Sequence, residues 1–179
     1  MNTEQIQSYL GFLYKLHNIK IPVIVAAADT LNHTMNKHKL FAISIIQNTD
    51  KIKDPGEHWI CYMLLSKNNC EYFDSYGNVI STHKNMQRPC KNIVRENCLV
   101  LQSPNSYLCG GYCIYFLYYR GLGFNYRQIL DSFSSSVSAN DRKIEKFVRS
   151  IQKSMKCRQI RKTKFCQTNL CRTRCKRFH

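Results

Sequence analysis

The chain has 179 residues, of which 44% are hydrophobic, and a formal net charge of +16. This length and composition exclude a disordered chain and indicate one folded domain with its own core. The longest aliphatic stretch, residues 21–28, is too short to span a bilayer. Ten cysteines also occur in secreted disulfide scaffolds, but the first residues lack the basic segment and apolar run of a signal peptide. We therefore expect an intracellular protein with most cysteines reduced, and no membrane association.

The positive charge is concentrated towards one end of the chain. Residues 142–179 contain fourteen Lys or Arg and one acidic residue, for a net charge of +13, whereas the first 141 residues carry only +3. This asymmetry favours a polyanionic partner, which we expect to be DNA bound by the basic C-terminal region. A solvated charged tail is the alternative interpretation of the same pattern.

The first part of the chain predicts a helix and then extended segments. The helix begins near Thr3, with Asn2 or Thr3 as its cap, and its apolar residues recur at helical spacing: Ile6, Tyr9, Leu10 and Leu13. Residues 23–28 are predicted to be extended, and residues 29–34 to form a turn. Residues 40–46 predict a central strand. The polar residues 48–57 then predict a loop that forms one wall of a groove.

Two short apolar runs joined by a polar turn predict a β-hairpin. The runs cover residues 59–65 and 70–74, and residues 66–69 connect them. His58 precedes the first strand and Asp74 ends the second, so antiparallel pairing brings both side chains to the same end of the sheet. A histidine oriented by a carboxylate is the base of a catalytic triad.

The next segment leads to the predicted nucleophile. Residues 81–97 have helical potential, and residues 99–101 predict a short strand. A turn-forming loop then delivers Cys109 to the start of an apolar segment that has no polar face, which predicts a buried helix. The helix dipole favours the thiolate of a cysteine at this position, and the thiolate is the nucleophilic form.

The residues around Cys109 suggest how a reaction would be supported. Gly110 and Gly111 are expected to leave room for a substrate backbone, and the Cys109 amide to point towards a developing oxyanion. Gln102 is a candidate side-chain donor to the same oxyanion. Cys113, one helical turn later, is predicted to be structural. Taken singly, each candidate also has a structural interpretation, such as a small buried cysteine or a turn aspartate.

The ordered set resembles the adenovirus-type cysteine proteases (adenain), including relatives carried by virus-like DNA transposons. Residues 39–50 resemble the family's strand and Asn-Thr loop, and Gly-Glu-His-Trp at 56–59 resembles its histidine motif. Tyr-Phe-Asp-Ser-Tyr-Gly at 72–77 resembles the acidic motif, and residues 102–110 resemble the glutamine and nucleophile motif. The resemblance spans roughly residues 4–125. Viral members usually have Glu where this chain has Asp74, whereas Asp is common in related SUMO-deconjugating proteases.

The resemblance implies an α+β fold in which a mixed sheet packs on a buried central helix that carries the nucleophile, a permuted papain-like arrangement. It implies a monomeric cysteine endopeptidase of viral or virus-like origin that cleaves capsid or core precursors in the host nucleus or the virion. The implied catalytic residues are His58, Asp74, Gln102 and Cys109. The alternatives are a SUMO- or ubiquitin-like deconjugating protease and a non-catalytic nucleic-acid-binding module with the same fold.

The resemblance also bears on cofactors. The implied chemistry requires no cofactor and no metal. Family members are typically stimulated by DNA and by a short viral peptide that is linked to the enzyme through a disulfide. Cys90 or Cys98 lies in roughly the corresponding region of this chain.

The C-terminal part predicts two further helices and an arm. Glycines at 121–123 end the central helix, and a short helix follows near residues 125–133. Asn140 or Asp141 is then predicted to cap a helix whose apolar stripe packs inward, formed by Ile144, Phe147, Val148, Ile151 and Met155. We therefore predict a protease domain over residues 1–155 and a flexible basic arm over residues 156–179.

The arm contains cysteines whose role the sequence leaves open. Cys166, Cys171, Cys175 and His179 are a candidate zinc set, but their spacing lacks the two close Cys pairs of structural zinc sites. We therefore predict no metal site. Free thiols in a basic tail are the preferred interpretation, some with a pKa lowered by neighbouring cations.

Overall fold

The computed structural model describes residues 1–35, 42–84 and 86–162, with the side chains of residues 161 and 162 left aside. The elements in chain order are α1 (Thr3–Leu16), β1 (Val23–Ala26), α2 (Leu31–Met35), β2 (Ile43–Asn48), β3 (Trp59–Leu64), β4 (Asn69–Phe73), a 3-10 turn (Ile80–Thr82), β5 (Asn92–Arg95), α3 (Cys109–Gly121), α4 (Tyr126–Asp131) and α5 (Val137–Lys162). The chain is therefore of the α+β class, as predicted. None of the described helices is long and apolar enough to cross a membrane.

The five strands form one mixed sheet in the order β1-β2-β3-β4-β5. β2, β3 and β4 pair in antiparallel fashion, whereas β1 and β5 add to the two edges in parallel. Every residue of β2 and β3 is buried, because the sheet is covered on both faces. One face packs against the helices through Ile46, Met63 and Phe73, and the other contributes Ile45, Ile60 and Tyr72 to a second core.

The central helix α3 is buried against the sheet, as predicted. All residues from Cys109 to Tyr118 are buried, and the Phe116 ring stacks on Phe73 of β4 with 4.6 Å between centroids. α1 and α5 pack against α3 within the same core. This packing fixes the start of α3, and with it Cys109, relative to the end of the β3–β4 hairpin.

Several local predictions were wrong. Residues 81–97 form β5 and a 3-10 turn rather than a helix, because residues 92–95 add to the free edge of β4. Residues 99–101 are not a strand; the Leu101 amide instead donates to the Ser75 carbonyl. The turn predicted at 29–34 contains the short helix α2. Asn140 and Asp141 lie inside α5, which begins at Val137, and so do not cap it.

The cap of α1 and the buried stripe of α5 agree with the sequence predictions, but the C-terminal end of α5 does not. Asn2 caps α1, and Asn2 and Gln5 form a capping box in which each side chain bonds the other backbone amide. α5 buries Ile144, Val148 and Ile151, as the apolar stripe predicted. The helix continues to Lys162, so the predicted boundary at 155/156 falls within it. The rest of the arm, including the candidate zinc set, lies outside the described residues.

Candidate active site

His58 and Asp74 meet at one end of the β3–β4 hairpin, as predicted. His58 immediately precedes β3 and Asp74 immediately follows β4. The His58 Nε2 and Asp74 Oδ1 atoms are 2.8 Å apart, and both residues are buried. The Tyr76 ring lies tilted over the imidazole, with 4.7 Å between centroids. The hairpin thus supplies a histidine whose ring is oriented by a buried carboxylate.

The Asp74 carboxylate is held by several neighbours besides His58. Oδ1 accepts a hydrogen bond from the Tyr76 amide at 2.8 Å, and Oδ2 accepts one from Asn78 Nδ2 at 3.1 Å. His83 Nε2 lies 3.5 Å from Oδ2. Burial acts to raise the pKa of Asp74, but the His58 and His83 interactions and the Tyr76 amide hold that pKa well below its usual range. Asp74 is therefore a carboxylate at any physiological pH.

Asn97 fixes the backbone of Asp74. Asn97 Oδ1 accepts from the Asp74 amide at 2.9 Å, and Nδ2 donates to the Asp74 carbonyl at 2.7 Å. The asparagine is 2% exposed, so both hydrogen bonds are shielded from water. Sequence analysis missed this residue, because an Asn in a polar segment is ordinarily a turn residue.

Cys109 is the first residue of α3 and lines a cleft beside the hairpin. It is 7% exposed, and the cleft of about 380 Å³ is also lined by Gly56, Glu57, Tyr76 and Ser106. The predicted loop of residues 48–57 therefore does form one wall of the groove. Gly111 has a packing role that the sequence analysis did not assign to it. A Cβ at this position would lie 2.8 Å from Ile144 Cγ2, so the absence of a side chain lets α5 pack closely on α3.

His58 and Cys109 shift each other's pKa in the directions of an ion pair. Burial acts to lower the pKa of His58, but the interactions with Asp74 and Cys109 raise it to about 9. Burial acts to raise the pKa of Cys109, but His58 and the amides of Trp59 and Gly110 lower it overall. Nε2 bonds Asp74, and the buried Nδ1 has no hydrogen-bond partner among the described residues, so it is the ring nitrogen left for exchange of a proton. The two pKa shifts favour a thiolate and an imidazolium over the neutral pair.

Gln102 is fully buried next to the cleft, in contact with two of the residues that line it. Its Nε2 donates to the Ser106 carbonyl at 2.6 Å and to the Tyr76 hydroxyl at 3.2 Å. Its Oε1 accepts from the Ser75 hydroxyl at 2.7 Å. Both acceptors of the amide nitrogen line the same cleft as Cys109, so all four predicted site residues converge on one region. Ser75 and Tyr76 belong to the motif at 72–77, but the sequence analysis assigned neither of them a role.

Four other cysteines of the described residues bear on the sequence predictions. Cys113 is fully buried and its thiol contacts the Trp59 carbonyl at 3.4 Å, which confirms a structural position. Cys70 and Cys90 form a disulfide between β4 and the segment before β5, whereas the sequence led us to expect most cysteines to be reduced. Cys98 is free and exposed, so of the two predicted peptide-linking cysteines only this one has an available thiol.

A second cavity, of about 720 Å³, adjoins the cleft and shares Met1, Gly56 and Trp59 with it. It extends towards β1.

Within the described residues no group of three or more His, Cys, Asp or Glu side chains is arranged to hold a metal ion.

No protein-family model and no curated protein sequence matches this chain.

Proposed function

We propose that the chain is a cysteine endopeptidase in which Cys109 is the nucleophile. The observation that carries the proposal is the buried His58–Asp74 pair, 2.8 Å apart, whose imidazole and the Cys109 thiol shift each other's pKa towards a thiolate–imidazolium pair. A cysteine, a histidine and a carboxylate at one cleft constitute the machinery of acyl transfer. A structural cysteine would have its pKa raised by burial, as that of Cys113 is.

The reaction proceeds in two halves. The Cys109 thiolate adds to the substrate carbonyl carbon, forming a C–S bond while the carbonyl electrons move to oxygen. The resulting oxyanion accepts a hydrogen bond from Gln102 Nε2, which exchanges its contact with the Tyr76 hydroxyl for one with the oxyanion. The His58 imidazolium donates its proton to the amine as the C–N bond breaks. Water, deprotonated by His58, then adds to the thioester carbonyl, and the C–S bond breaks to release the carboxylic acid product and restore the Cys109 thiolate and the His58 imidazolium.

The substrates that we propose are capsid or core precursor proteins of a virus or virus-like element. This class comes from the resemblance to the adenovirus-type proteases. The cleft at Cys109 and the second cavity share lining residues, which suits a substrate longer than one side chain. A SUMO- or ubiquitin-like deconjugating protease is the second candidate, since it shares the order His58, Asp74, Gln102, Cys109.

The DNA association that we propose has a described surface as well as the arm. Five exposed cations recur on α5 at intervals of three or four residues and therefore share one face of the helix: Arg142, Lys146, Arg149, Lys153 and Lys156. We call this face the α5 ridge. Only Arg149 has a described acidic partner among them, Glu145 at 2.7 Å. Such a row suits phosphate contacts that do not read sequence.

A peptide activator is proposed on the resemblance alone, and Cys98 is the cysteine to which it would link. Full turnover by purified, reduced enzyme without any peptide would remove this part of the proposal.

The test of the proposed function is covalent labelling with a peptide-based, thiol-reactive probe. Labelling at Cys109 that is lost in His58→Ala is the expected result, and absence of labelling in the wild-type chain would favour the non-catalytic nucleic-acid-binding module. A panel of capsid-derived peptides and a ubiquitin-like fusion protein then separates the two protease classes. Cleavage of the fusion alone would replace the viral-maturation proposal with deconjugation.

A further inference from the structure

The residue after the catalytic carboxylate contacts the predicted oxyanion donor. Ser75 follows Asp74 at the end of β4 and is fully buried. Its hydroxyl donates to Gln102 Oε1 at 2.7 Å, and its carbonyl accepts from the amides of Leu101 and Gln102 at 2.9 and 3.0 Å. One residue therefore holds both the main chain and the side chain of Gln102.

The nitrogen of the Gln102 carboxamide contacts two residues that line the cleft. The Ser106 carbonyl, 2.6 Å from Nε2, can only accept, so it requires the amide nitrogen rather than the oxygen on this side. Tyr76, the next residue after Ser75, has its hydroxyl 3.2 Å from the same nitrogen. Three consecutive residues thus serve the two halves of the site: Asp74 orients His58, while Ser75 and Tyr76 bracket the Gln102 carboxamide.

We propose that Ser75 is a positioning residue that holds the Gln102 carboxamide with its nitrogen at the Cys109 cleft for stabilisation of the oxyanion. The proposal rests on the cysteine-endopeptidase function. Oxyanion stabilisation depends on a donor that is already in place when charge develops on the substrate oxygen. Without the Ser75 hydroxyl, Gln102 Oε1 stays buried but loses the hydrogen bond that this hydroxyl donates to it. The Ser106 contact then remains, so the amide is displaced rather than reversed.

A double-mutant cycle tests the positioning role. Ser75→Ala is expected to lower kcat by about tenfold and leave KM within about twofold, because a displaced donor affects the transition state more than binding. Gln102→Ala is expected to lower kcat by about 10²–10³. If Ser75 acts through Gln102, Ser75→Ala has no further effect in the Gln102→Ala background. Additive losses would overturn the proposal.

Ser44→Ala is the matched control. Ser44 is also fully buried and forms a short hydrogen bond, 2.6 Å to the Tyr14 hydroxyl, but it lies at the opposite end of β2 from the site. Ser44→Ala is expected to lower stability without changing kcat. An equal fall in kcat for both variants would mean that Ser75 has only a structural role.

A second measurement does not depend on turnover. In ¹⁵N-labelled full-length protein, the side-chain amide signals of Gln102, assigned by their loss in Gln102→Ala, are expected to shift and exchange faster with water in Ser75→Ala. Ser44→Ala should leave them unchanged. Unchanged Gln102 signals in Ser75→Ala would overturn the proposal. If the Gln102 signals change in Ser75→Ala but the wild-type chain cleaves no peptide, the contact between Ser75 and Gln102 is supported and the proposed function is overturned instead.

Discussion

Replacing Asp74 by Asn tests whether the buried carboxylate maintains the reactive thiolate. The interactions with Asp74 and Cys109 raise the pKa of His58 from 6.5 to about 9 against the effect of burial. That difference corresponds to about 3 kcal/mol, and Asp74 provides the largest of the contributions that raise it. Asn keeps the size of the side chain but removes the negative charge, so the imidazolium loses its main partner. Burial then favours the neutral imidazole at pH 7.

The consequence is measurable at Cys109. Without an imidazolium beside it, the thiol loses the interaction that lowers its pKa, and the thiolate fraction at neutral pH falls. If Asp74→Asn removes between half and most of the roughly 3 kcal/mol that stabilises the imidazolium, alkylation of Cys109 at pH 7 should be slower by about tenfold to a hundredfold. The rising limb of the alkylation profile is also expected to move to higher pH, towards the ordinary thiol value of 9.0.

The assay is the rate of iodoacetamide alkylation between pH 5 and pH 10, followed by mass spectrometry of the Cys109 peptide. Peptide mapping is required because Cys98 is also free and exposed. Asp131→Asn is the matched control, since it removes an exposed carboxylate that pairs with Arg127 far along the chain from the site. Superimposable Cys109 profiles for the wild-type chain and Asp74→Asn would refute the reasoning, provided that near-UV circular dichroism shows an intact fold.

Three further predictions concern the rest of the molecule. The rate of peptide hydrolysis is expected to rise as pH increases through the lowered pKa of Cys109. It is expected to fall as pH increases through about 9, where His58 loses its proton. A rate that still rises at pH 10 would argue against the His58 imidazolium as the general acid. Asn97→Ala is expected to lower the free energy of unfolding, measured by urea titration, by about 2–3 kcal/mol, because the buried amide and carbonyl of Asp74 both lose a hydrogen-bond partner. Asn92 is exposed, so Asn92→Ala should lower the free energy of unfolding far less. If the five cations of the α5 ridge contact phosphates, DNA affinity should fall by a factor of about 10²–10³ between 50 and 200 mM salt. The double variant Lys146→Glu, Lys153→Glu should make affinity less dependent on salt without changing cleavage of small peptides. An unchanged salt dependence would identify the ridge as a solvated surface.

The sequence by itself predicted the elements whose signals are local. The hairpin around residues 66–69 is marked by two apolar runs and a polar turn, and strand pairing then brings His58 to Asp74 without further information. The apolar residues after Cys109 likewise predicted a buried helix that begins at the cysteine. These features follow from neighbours in the chain, whereas the meeting of Gln102 and Cys109 with the hairpin was expected only from the family resemblance.

Only the tertiary structure decided how that site is held. The Asn97 contacts with Asp74 span 23 residues, and the Ser75 contact with Gln102 spans 27, so no local pattern marks them. Asn140 and Asp141 looked like helix caps, but folding brings them to the Gln102 loop, where they bond Leu101 and Ser103 across 39 and 38 residues. Gly111 was expected to leave space for a substrate, and folding gives it a packing role as well, because it accommodates the side chain of Ile144 on α5. A buried polar group or a close approach takes whichever partner the folded chain brings to it, and that partner is determined by packing rather than by adjacent sequence.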